Sequence, residues 1–148
     1  MRLAWACELA LLVVALSLLA GCGPSAADPR ICDASVALVT SINTTIQAER
    51  ADQAGDKDTA QRLARTAAEE ARQAHDALDA ITSDDVRRSA GWQGLNETYL
   101  HAGQAANALL PEYANTYGMT ATEVTSALAA LSRSGGFAGC PVPSGNIT

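Results

Sequence analysis

The stretch DTAQRLARTAAEEARQAHDALDAI, Asp58 to Ile81, decides the fold. Ala60, Ala64, Ala67, Ala71, Ala74, Leu78 and Ile81 recur in steps of 4, 3, 4, 3, 4, 3. That rhythm puts all seven on one side of an α-helix, the seam of an antiparallel bundle. Most of the seam is alanine, so a neighbouring helix can approach closely. The far side pairs Asp58 with Arg62, Arg65 with Glu69, and Arg72 with Asp76, each four residues apart. Such pairs add about 0.3 kcal/mol each, and they read as a solvated face.

Working outward, Asp52 to Asp58 contains Gly55 and several acids and reads as a turn. Before it, Ile31, Ala34, Leu38, Ile42 and Ile46 have helical spacing, with Val39 beside them. The Ser, Thr and β-branched residues of the same segment also suit a strand. After the seam, Thr82-Ser83-Asp84-Asp85 offers an N-cap and early acids for a third helix. Its stripe is Trp92, Leu95, Tyr99, Ala102, Ala106 and Leu109, with an interruption expected near Gly91 and Gly94. Pro111 ends or kinks it. Glu112 to Met119 is a connection bearing Tyr113 and Tyr117. Thr120-x-x-Glu123 has the form of a capping box and opens a fourth helix striped by Val124, Leu128 and Leu131. Ser134-Gly135-Gly136 ends that helix. The expectation is an all-α domain, a small up-down-up-down bundle of three to four helices over residues 31–140, with an irregular tail at 141–148.

Composition agrees. The chain has 148 residues, 31 of them alanine, and only 4% are aromatic. One domain is what that length allows. Ten basic against sixteen acidic residues give a net charge of −6. Such a surface repels phosphate backbones, so no nucleic-acid partner is expected.

The first residues read as an address. Leu9 to Ala20 is an apolar run of twelve, too short for the roughly 20 residues a membrane span requires. Small residues follow it, as in a cleaved signal peptide. Leu19-Ala20-Gly21-Cys22 resembles the lipobox of bacterial lipoprotein signal peptides. The resemblance covers residues 1–22 and implies nothing about the domain that follows. It implies cleavage between Gly21 and Cys22, with a lipid on the Cys22 thiol. An ordinary secretory signal, with Cys22 incidental, is the alternative. Two or more acyl chains anchor stably, at about 0.8 kcal/mol per buried methylene. The implied location is the extracytoplasmic face of the cell membrane, or the outer membrane if the host is Gram-negative. Residues 22–30 then form a short tether reaching at most ~30 Å.

Cys7 leaves with the signal and Cys22 carries lipid, so Cys32 and Cys140 remain, an even pair in an oxidising compartment. In an up-down-up-down bundle the start of helix one and the end of helix four lie at one end, so a Cys32–Cys140 disulfide closing the bundle is expected. Constraining so long a loop contributes up to about 4.7 kcal/mol in the chain-entropy model. Two free thiols are the alternative.

Chemistry is sparse. His75 has Asp79 one turn away, and His101 has Glu97. With a turn near Ser83, position 75 falls across from about 91, leaving the histidines roughly 15 Å apart along the axis. No metal site is expected, and no cofactor. No serine lies in a nucleophile elbow and no glycine-rich phosphate loop follows a strand. The reading is a non-enzymatic envelope lipoprotein that binds another envelope protein, with Tyr113 and Tyr117 as the possible contact. The alternatives are a small-ligand carrier with a pocket near Trp92, Leu95 and Tyr99, and a prophage-encoded exclusion lipoprotein.

Overall fold

The computed structural model describes residues 29–116 and 119–133, all helix and turn with no strand among them. The elements are α1 (Pro29–Gln53), α2 (Lys57–Asp79), the single turn α3 (Asp84–Arg87), α4 (Ala90–Asn107), a 3-10 turn (Pro111–Thr116) and α5 (Thr120–Arg133). The four long helices alternate in direction.

α1 and α2 share the most extensive interface. All seven seam residues are buried, from Ala60 through Ile81. The backbones come close enough for the Ser41 hydroxyl on α1 to donate to the Ala67 carbonyl on α2, at 2.7 Å. The backbone of Pro29–Gln53 is helical throughout, which settles the helix–strand ambiguity of α1. Its hydroxyls bond to carbonyls: Thr40 to Val36 and Thr45 to Ser41, both at 2.9 Å. Ser and Thr in a helix are tolerated when their hydroxyls are satisfied this way.

The turn between α1 and α2 is a Schellman motif. Gly55 takes φ +84°, its N–H donates to Asp52 at 3.0 Å, and the Asp56 N–H donates to Ala51 at 2.9 Å. Asp56 then caps α2, its carboxylate accepting from the Thr59 N–H at 3.1 Å. That backbone hydrogen bond holds the Asp56 carboxyl below its usual range.

At the opposite end the carbonyls of α2 lack a basic residue in their own last turn. Distant arginines supply it. Arg30 donates to Ala80 at 2.8 Å, and Arg87 donates to Ile81 at 2.6 Å and Asp79 at 3.0 Å. The start of α1 is thereby tied to the end of α2.

The third segment breaks elsewhere than expected. α4 runs unbroken through Gly91 and Gly94, and the interruption lies at Arg88 and Ser89. The Ser89 hydroxyl accepts the Trp92 N–H at 3.2 Å and donates to Val86 at 2.6 Å. A serine cap satisfies two groups at once, whereas a helical glycine costs only about 1 kcal/mol. Ser83 caps α3 as the sequence suggests.

One core joins α1, α2, α4 and α5 through Leu38, Ile42, Leu78, Ile81, Leu95 and Val124. A second, smaller cluster of Ala48, Ala64 and Leu110 lies at the Gly55 end. The arrangement is skewed from a square bundle. α5 packs chiefly on α4, and α1 meets α4 more fully than it meets α5.

Candidate functional site

The Gly55 end holds the Tyr113 connection. Pro111 lacks an N–H and stops α4, and the chain tightens into the 3-10 turn. Tyr113 sits at a kink (φ −111°, ψ 35°), its N–H donating to Leu110 at 3.0 Å. Its side chain is 46% exposed. The neighbouring Glu112 accepts a forked contact from Arg65 of α2, at 2.9 and 3.4 Å. This replaces the expected Arg65–Glu69 pair. Glu69 instead takes Arg72, at 2.9 and 2.6 Å, and Arg72 also reaches Asp76 at 3.1 Å. Arg62 bonds to Thr59 at 3.4 Å, not to Asp58 as the spacing suggested. A backbone N–H and the Arg65 guanidinium together hold the Glu112 carboxyl below its usual range. Tyr117, the other residue of the expected contact, lies outside the described residues.

The second feature was not foreseen. His101 of α4 and Glu123 of α5 are joined, Nδ1 to Oε2, at 2.6 Å. Their side chains are 30% and 11% exposed, so the pair is largely withdrawn from water. Thr120-x-x-Glu123 therefore does not close as a capping box. The Glu123 carboxylate points across to α4 instead of back to its own first turn. The residues are 22 apart, and no local spacing signals such a pair.

His75 also departs from expectation. Its ring packs against Tyr99, centroids 4.6 Å apart and tilted by 47°, not opposite position 91. The separate α3 turn consumes chain between the helices and shifts the register. Asp79 and Asp76 lie 3.7 and 3.9 Å from His75. Among the described residues no group of three or more His, Cys, Asp or Glu is placed to hold a metal ion.

Glu70 is the remaining anomaly. Its Oε2 is buried without a hydrogen-bond partner. Burial pushes its carboxyl up, and a hydrogen bond from Thr44 on α1 partly offsets this.

Of the expected ends of the molecule, Cys32 is half-buried on the first turn of α1. Gly21, Cys22 and Cys140 lie outside the described residues. Near the expected ligand pocket, Leu95 is fully buried and the Trp92 indole N–H donates to Leu78 at 3.4 Å. No family model, curated protein or solved structure matches the chain.

Proposed function

We propose that the chain is a membrane-anchored extracytoplasmic lipoprotein whose helical bundle is a non-enzymatic protein-interaction module of the cell envelope. The observation that carries it is Leu19-Ala20-Gly21-Cys22 after an apolar run too short to span a bilayer. Among the described residues no helix is long and apolar enough to cross a membrane. A lipid on Cys22 supplies the anchor. α1 begins at Pro29, so only a short tether separates lipid from bundle.

The Cys32–Cys140 disulfide is part of the proposal. α5 runs back toward the end of the bundle where Cys32 lies, and Cys140 follows it by a few residues. The bridged end then faces the membrane and the Gly55–Tyr113 end faces outward. There the exposed Tyr113 ring offers apolar area with a polar tip, the usual currency of protein interfaces. The partner is an envelope protein.

The test is mass spectrometry of protein purified from its own membranes. The expected N-terminal peptide begins at a diacylglyceryl-modified Cys22, and a Cys22→Ser chain loses both lipid and membrane association. An unmodified Cys22 in membrane-derived protein refutes the reading. In-cell cross-linking from the Gly55 end, with Tyr113→Ala as the comparison, then identifies the partner or contradicts an outward binding edge.

A further inference from the structure

The bundle is two helical hairpins joined by one short connection. α1 pairs most fully with α2, and α4 with α5. The connection is residues 82–89. Ile81 before it is fully buried, but no residue of the connection is. Its single turn, α3, packs lightly on the start of α4, and Val86 rests on the core from outside. The connection lies at the Pro29 end, yet outside the packing that makes that end firm.

Two adjacent arginines stand in it, and they differ. Arg87 is held, its guanidinium donating to the Ile81 carbonyl at 2.6 Å and the Asp79 carbonyl at 3.0 Å. Arg88 is offered outward. Its side chain is 73% exposed, and its partner Asp85, at 3.1 Å, is 96% exposed. So exposed a pair restrains Arg88 little.

The geometry points to the Arg88–Ser89 peptide bond as a processing site, cut in the folded protein by a serine protease selective for arginine. Such an enzyme takes the guanidinium in a pocket floored by a carboxylate and needs the flanking chain extended across its cleft. Residues 86–91, around this bond, include no buried residue. The matching stretches around the bonds after Arg50, Lys57, Arg62, Arg65 and Arg72 each include at least one buried alanine. Extending those pulls the core apart, whereas extending 86–91 opens α3 and the first turn of α4 alone. Water adds across the bond: Arg88 keeps the oxygen as a new carboxylate, and the Ser89 nitrogen leaves as an ammonium. The site depends on neither a lipid at Cys22 nor a disulfide.

The two hairpins stay assembled after the cut. The Arg87 bonds that close α2 lie wholly on one side of it. The Ser89 cap on the Trp92 N–H, at 3.2 Å, lies wholly on the other. Two bonds from Ser89 to the Val86 carbonyl, at 3.0 and 2.6 Å, cross the break locally. The core spans both pieces, with Leu38, Ile42, Leu78 and Ile81 from one and Leu95 and Val124 from the other.

The experiment digests the full chain with a trace of trypsin, in mild non-ionic detergent and under reducing conditions, so that packing alone holds the pieces. Intact mass locates the first cut between Ile31 and Ser132, and size exclusion with helical circular dichroism reports assembly. The expected first cut is Arg88–Ser89, with the pieces eluting together and the helical signal kept. Arg88→Gln, with an unchanged spectrum, is expected to slow cutting in that range at least about tenfold, because Arg87 must give up its charged carbonyl bonds to serve instead. A first cut after any other basic residue in the range overturns the proposal, as does no cut there while the urea-unfolded chain is digested. So do pieces that separate, or an Arg88→Gln chain cut as fast as the parent.

Discussion

His101 and Glu123 hold α5 to the rest of the domain, and breaking one side of the pair should cost more than removing both. Glu123 is 11% exposed and His101 is 30% exposed, at 2.6 Å. Replacing His101 by Leu leaves the Glu123 carboxylate beside an apolar neighbour. An unpartnered charged group in a fully dry site costs 3–5 kcal/mol, but this pair lies at the edge of the core and water reaches part of it. The expected loss is therefore about 2 kcal/mol. In a domain of this size that lowers Tm by roughly 10 °C. Glu123→Leu alone leaves His101 able to turn its ring to water, so the cost is about 1 kcal/mol. The double change His101→Leu with Glu123→Leu removes both polar groups and should fall within about 1 kcal/mol of the parent. The assay is urea unfolding at pH 7, followed by helical circular dichroism, for the parent and the three variants. A coupling energy of about 2–3 kcal/mol is expected from the cycle. Additive single losses would refute the claim that the two side chains act as a unit.

Three further outcomes follow from local geometry. Gly55→Ala should destabilise by about 1 kcal/mol, because φ is +84° while nothing lies within 4 Å of the added carbon; a thermal melt that does not move would contradict the Schellman turn. Ala67→Leu should cost about 2 kcal/mol by forcing α1 away and parting Ser41 from the Ala67 carbonyl; an unchanged urea midpoint would mean the α1–α2 interface is looser than described. Glu70 has its carboxyl raised by burial, so the folded state favours the protonated form. The stability from that protonation is complete below the ordinary Glu range and is lost as pH rises through the raised folded value. Glu70→Gln should accordingly match or exceed the parent at pH 7, with the difference shrinking toward pH 4; a variant weaker than the parent at pH 7 would reverse the sign.

What the sequence disclosed depends on range. The α2 seam was legible in full because a 3.5-residue rhythm over seven positions is a local property, and each of those residues is buried. Ser83 as a cap was legible for the same reason. The helical state of α1 was less so, since its Ser and Thr residues also suit a strand and find their carbonyl partners only in the folded helix pair. Charge spacing found the Arg72–Asp76 pair and missed two others. Arg65 prefers Glu112 across the fold to Glu69 on its own helix. Thr120 and Glu123 have the capping-box form, yet the Glu123 carboxylate finds a partner on another helix. A local motif competes with every tertiary partner within reach, and a sequence presents only the first of these. The register of His75 against Tyr99 escaped because α3 takes up chain in a turn of its own.

These contacts also give the bundle a direction. At the Pro29 end, Arg30 and Arg87 hold three carbonyls that close α2, and Trp92 reaches the Leu78 carbonyl. The larger core reaches that end through Leu38, Leu78, Ile81 and Leu95. At the Gly55 end the core shrinks to Ala48, Ala64 and Leu110, fastened across the surface by the exposed Arg65–Glu112 pair. Exposed ion pairs contribute about 0–1 kcal/mol, and alanines bury little area, so local opening is easier there. If Cys22 carries a lipid and Cys32 pairs with Cys140, the firm end is the tethered one and the yielding end faces outward. A module held to a surface meets its partner with the end it does not use for attachment. On that reading the segment with the weaker core and the exposed Tyr113 ring would be the one free to adjust on contact.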